Sequence, residues 1–112
     1  MNVQELNNLL FGIVDVNIDS IQNYELNVSN ISFLKLRDVI IELGRIYAED
    51  AEKQVYIARI YGGFFKKNPT ITAFHLEGNR VKIAISVREG IINQHTCEDV
   101  INEIKRRFKY YT

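Results

Sequence analysis

The sequence predicts an α+β domain: two antiparallel β-hairpins forming one sheet packed by three helices, in the order α-β-β-α-β-β-α, with a long central helix. Three observations carry that expectation. Apolar and polar residues alternate on both sides of short polar turns in residues 14–28 and 70–87, which is the two-residue period of half-buried strands. Apolar residues recur at helical spacing from Phe33 to Ala58. Both ends of the chain carry the same helical period. The 112 residues fit one domain, 1–112, because two separate cores do not fit in a chain of this length.

Val3, Leu6, Leu9 and Leu10 are spaced for a short first helix ending near Gly12. Val14 to Asp19 and Tyr24 to Val28 follow as alternating strands, joined through Ser20 to Asn23. If they pair, Val14, Val16, Ile18, Tyr24, Leu26 and Val28 share the core face. The central helix begins at a cap on Asn30 or Ser32 and takes its stripe from Phe33, Leu36, Ile40, Leu43, Tyr47, Ala51, Val55 and Ala58. Run unbroken to Tyr61, it would measure about 45 Å at 1.5 Å per residue, longer than a domain of this size is wide. It therefore breaks near Gly44 or Glu49, packs its excess on a second subunit, or gives way to a strand over Gln54–Tyr61. The long helix is the preferred reading of the three.

Gly78-Asn79 is a two-residue hairpin turn. It sets a register pairing Glu77 with Arg80, Leu76 with Val81, Phe74 with Ile83, Thr72 with Ile85 and Thr70 with Val87. A slip of one residue would mix the faces, so turn and pattern agree. The last helix opens at Thr96, with Glu98 and Asp99 in its first turn and Lys105, Arg106, Arg107 and Lys109 towards its end, as the helix dipole favours. Val100, Ile101, Ile104, Phe108 and Tyr111 form its buried stripe.

The composition, 46% hydrophobic and 25% charged with one proline, excludes a disordered tail and a low-complexity linker. Fourteen basic residues balance fourteen acidic ones, which disfavours a nonspecific polyanion binder. The balance hides an asymmetry. Residues 1–56 carry nine acids and four bases, and residues 57–112 carry ten bases and five acids. Neutralisation of one half by the other needs no additional molecule and is preferred to a bipolar surface that orients a partner. The single cysteine builds neither an internal disulfide nor a multi-thiolate zinc site. The first ten residues lack the Lys or Arg of a secretory signal, and no apolar run approaches the roughly 20 residues of a membrane span. The expected location is cytoplasmic, away from any membrane.

Few constellations carry chemistry. Cys97 follows the Thr96 cap, where the positive end of a helix lowers a thiol pKa, and His95 lies two residues earlier. That is a nucleophile beside a base without an orienting third group, so the ordinary reading is a cysteine packed at a helix start. His75, His95 and Cys97 supply three metal ligands without a known spacing. Asp15, Asp19 and Glu25 read more simply as a solvated sheet face than as a hard-cation site. An acid on an early strand, Asp15, followed by a helix and by Val55–Gly62, resembles the opening of small PIN- or NYN-type nucleases. Those families need several converging acids, and the later strands here offer Lys82 and Arg88, so the resemblance is not adopted. Phe64, Phe65, Lys66 and Lys67, with Arg106, Arg107, Lys109 and Tyr110, make a basic and aromatic set suited to a partner surface, including single-stranded nucleic acid.

No cofactor or metal is expected. The leading expectation is a small non-enzymatic interaction or adaptor domain, with a protein partner and a possible homodimer, acting through the central helix or an exposed strand edge. Its element order resembles that of small dimeric adaptor and chaperone domains, such as the roadblock type and type III secretion chaperones. A nucleic-acid binder using the basic C-terminal half is the alternative, followed by a small enzyme built on Cys97 and His95.

Overall fold

The computed structural model describes residues 1–13, 21–62, 67–87 and 95–111, with the side chains of the last two of these outside the description. Its elements run α1 (Val3–Phe11), β1 (Ile21–Asn27), α2 (Phe33–Leu43), β2 (Gly44–Asp50), β3 (Val55–Gly62), β4 (Asn68–Glu77), β5 (Arg80–Val87) and α3 (Thr96–Tyr111). The five strands form one antiparallel sheet in the order β1-β5-β4-β3-β2. The fold is therefore α+β with three helices, as expected, but with five strands in another order of elements. That order differs from the one on which the likeness to dimeric adaptor and chaperone domains rested.

The central helix is the main correction. It stops at Leu43, and residues 44–62 form a hairpin. Gly44 follows the last helical residue directly and starts the strand: a Cβ there would lie 2.1 Å from the Arg59 carbonyl oxygen. Gln54 adopts φ 58° in the turn, where Asp50 Oδ1 accepts from the Lys53 amide at 3.1 Å. The misleading signal has a physical cause. Val55, Tyr56, Ile57 and Ala58 are all buried because β3 is covered on both faces, and a strand buried on both sides loses its alternation. Its β-branched and aromatic residues then decide the matter for strand.

The expected pairing of Val14–Asp19 with Tyr24–Val28 falls partly outside the described residues. The described strand of that pair, β1, hydrogen-bonds along β5, matching Tyr24 with Ile83 and Leu26 with Val81. Its faces are as expected, with Tyr24 and Leu26 packed on the core and Glu25 and Asn27 exposed. The β4–β5 register agrees with the sequence reading at every pair, from Thr70 with Val87 to Glu77 with Arg80. Gly78 alone in the turn has positive φ, 59°, which is the II′ form of the two-residue loop.

Helices cover both faces of the sheet. On one side α2 and α3 bury Leu36, Val39, Ile40, Val100, Ile101, Ile104 and Phe108 against Tyr56, Phe74, Val81, Ile83 and Ile85. Tyr56 stacks on Phe33 with ring centroids 4.1 Å apart, and its hydroxyl donates to the Phe33 carbonyl at 2.7 Å. Burial first, then Glu49, pushes its pKa up to about 12. On the other side α1 sets Leu6 and Leu10 over Val55, Ile57, Ala73 and Ala84. Ala73 and Ala84 are cross-strand partners, and two small side chains there let a helix lie close to the sheet. The first helix starts in a capping box, Asn2 with Glu5. Thr96 is the first residue of α3 rather than its cap; its buried hydroxyl accepts from Asn68 at 3.0 Å, and φ at His95 is 53°.

Candidate interaction surface

Cys97 and His95 sit in unlike surroundings. Cys97 is buried in the core between the sheet and α2–α3. His95 is exposed, with Nδ1 3.4 Å from Glu98 Oε2. His75 faces the opposite side of the sheet, beneath α1, so the sheet divides it from Cys97. Asp15 and Asp19 lie outside the described residues, and among the described residues no group of three His, Cys, Asp or Glu side chains is placed to hold a metal ion.

The described members of the basic and aromatic set, Lys67, Arg106, Arg107 and Lys109, do not gather into one patch. Phe64, Phe65, Lys66 and the Tyr110 side chain lie outside the described residues. Lys67 is exposed just ahead of Asn68, which bonds Thr96 at the N-terminal end of α3. Arg106, Arg107 and Lys109 stand ten or more residues further along that helix, about 15 Å or more away. Arg106 pairs with Glu103, and Arg107 Nη1 reaches Glu42 Oε2 of α2 at 3.6 Å. Glu25 and Arg80 form a further cross-half pair at 3.4 Å, so among the described residues at least two ion pairs join the acidic N-terminal half to the basic C-terminal half.

Two surfaces emerge that sequence reasoning missed. The first is the outer side of α2, where Leu34 is 72% and Ile41 48% exposed. The two are seven residues apart and thus lie one above the other on the helix, flanked by exposed Lys35, Asp38 and Glu42. The helical stripe read from the sequence, through Phe33, Leu36, Ile40 and Leu43, does not include these two residues.

The second is the α1 side of the sheet at β2 and β3. One row across the sheet reads Arg45, Arg59, Ile71, Ser86, Ile21. Ile71 and Ile21 pack against the α1 cluster, while Arg45 and Arg59 are exposed. The next row holds Ala48 and Ile57, after a bulge that makes Tyr47 an extra residue in β2. Between these strands and Leu9 of α1 runs a cleft of about 280 Å³, lined also by Val55, with Glu49, Asp50 and Lys53 at its turn end. No positional signal could reveal the arginine pair while the preferred reading carried the helix on to Tyr61; the density of β-branched residues in 55–60, which also allowed a strand over Gln54–Tyr61, was the available clue.

Near the other end of α1, Lys82 Nζ bonds Glu77 Oε2 at 2.9 Å and donates to the Met1 carbonyl at 3.1 Å. The hydrogen bond from Lys82 holds the Glu77 carboxyl below its ordinary range. Burial holds the His75 imidazole below its ordinary value, and its Nδ1 is buried without a hydrogen-bond partner.

These features define a small α+β domain whose five-stranded antiparallel sheet is sandwiched between helices. No family model matches the sequence, and no curated protein matches it. Among solved structures the chain is similar to a TBP-like protein from Parabacteroides distasonis, with 14% identity and a TM-score of 0.38. The likeness covers 65% of this chain and 59% of that one, so the chain spans about three-fifths of the neighbour's length. Among the described residues no helix is long and apolar enough to cross a membrane.

Proposed function

We propose that the chain is a small non-enzymatic interaction domain that acts through protein–protein contacts and self-associates through α2. The observation that carries this reading is the exposed Leu34–Ile41 pair on the outer side of that helix. Two copies of α2 packed antiparallel about a two-fold axis bring Leu34 of each against Ile41 of the other. The same arrangement sets Lys35 near Glu42 of the second copy, so the face complements itself in charge as well as in shape. A contact of one three-turn helix on another is small, which suits a reversible dimer.

Light scattering and sedimentation at rising concentration test the proposal. A monomer–dimer equilibrium is expected, shifted to monomer by Leu34→Asp or Ile41→Asp. Lys35→Glu and Glu42→Lys should each weaken the dimer and together restore it. A constant mass near 13.0 kDa at the highest concentrations would overturn self-association.

A further inference from the structure

Arg45 and Arg59 are direct cross-strand partners, and both are exposed on the same face. Like charges set opposite one another in a sheet are destabilising. Arg37, Arg80, Lys82, Arg106 and Arg107 all have carboxylate neighbours. Arg45 and Arg59 have none among the described residues. Of the described sheet acids on their face, the nearest, Asp50, stands two same-face steps along the sheet, about 14 Å away at 3.4 Å per residue, and one of its oxygens is engaged by the Lys53 amide. Among the described residues, then, the two arginines face each other with no carboxylate beside them.

By strand register they stand beside the apolar cleft, just outside its lining. Ile57 precedes Arg59 by one same-face step, and Ala48 follows Arg45 across the bulge. Leu9 and Val55 complete the apolar lining, and Asp50 marks the far end. A volume of about 280 Å³ is just below the usual range for small-molecule sites. The charge pattern also sets a direction, with an anion favoured at the arginines and disfavoured near Asp50.

We propose that this cleft binds a free amphipathic carboxylate, a medium-length apolar chain ending in one carboxylate group. The carboxylate lies between the Arg45 and Arg59 guanidinium groups, each able to donate two parallel hydrogen bonds to such an anion. The chain lies along Ala48, Ile57 and Val55 against Leu9. Occupancy removes the repulsion between the arginines and covers Ala48, which α1 leaves exposed.

The probe is decanoate, followed by calorimetry and by amide chemical shifts, with decanol and acetate as single-feature controls. Decanoate is expected to move the amides of Ala48, Ile57, Arg59 and Leu9, and both controls should bind at least tenfold more weakly. Arg45→Gln and Arg59→Gln should each weaken decanoate at least tenfold while leaving the thermal midpoint of the unliganded protein unchanged or higher, since each relieves a like-charge contact. Leu34→Asp, which tests self-association, should bind decanoate as the unaltered protein does. Decanol binding as tightly as decanoate, shifts confined to another surface, or folded arginine variants with undiminished affinity would each overturn the proposal.

Discussion

His75 has the sequence context of an exposed strand residue, alternating with Phe74 and Leu76, yet it is 8% exposed because α1 lies over it. Its register opposite Lys82 was legible in the sequence; its cover was not, since nothing local tells a strand that a helix sixty residues earlier returns to it. The charged groups acting on it are Glu77 on its own strand, Lys82 on β5, and Glu5 and the Met1 amino group at α1. Burial is the largest influence and lowers its pKa below the ordinary 6.5, so folding favours the neutral ring. The stability that this lends is whole above pH 6.5 and is lost as pH falls from there through the lower folded value. The thermal midpoint should accordingly decline on acidification below that point, and His75→Leu should flatten this part of the profile. Glu77, held low by Lys82, contributes a separate loss that begins only below its ordinary 4.5. An unaltered slope in the His75 variant would place the sensitivity elsewhere.

At the scale of elements, the second hairpin and the two terminal helices were readable because turn chemistry and apolar period agree there. The β2–β3 hairpin was legible only through the less favoured alternatives, a break near Gly44 and a strand over Gln54–Tyr61, because coverage of β3 on both faces removes the alternation that marks a strand. Gly44 is where that hairpin begins, with extended backbone at φ −175°. The demand for glycine at this point is spatial: any side chain meets the backbone of Arg59. Gly44→Ala should therefore cost about 3 kcal/mol or more, at or above the upper end for overpacking, because the obstructing atoms are main chain. Gly12→Ala meets nothing within 4 Å and should change chemical-denaturation stability by only a few tenths of a kcal/mol. Equal effects for the two would remove the close-approach argument.

For the whole molecule, the radius of gyration is 13.0 Å, the value expected of a compact chain of this length. The excess of helix that the sequence implied has gone into strands, and the outer side of α2, with Leu34 and Ile41 exposed, replaces an overlong rod as the surface open to a partner. The charge division along the chain is partly resolved within the fold, by Glu25 with Arg80 and Glu42 with Arg107. The two cores are unequal: the α2–α3 side is extensive, whereas α1 anchors itself mainly through Leu6 and Leu10. Hydrogen exchange should therefore protect β3, β4 and β5 most and α1 least. Leu6→Ala or Leu10→Ala should cost about 2–5 kcal/mol if α1 unfolds with the rest, and much less if it detaches first. Comparing global denaturation with exchange at α1 amides separates the two cases.

The abrupt passage from α2 into β2 bears on how the carboxylate cleft can adjust its width. Leu43 and Gly44 are consecutive, with no linker between helix and strand, so the jaw formed by β2 and β3 is welded to Leu36, Val39 and Ile40 in the main core. The opposite jaw, α1, is only latched, by two leucines, the Asn7–Asn23 amide pair at 2.8 Å and the Lys82 bond to Met1. Any guest too broad for the gap must therefore swing α1 outwards and leave the hairpin in place.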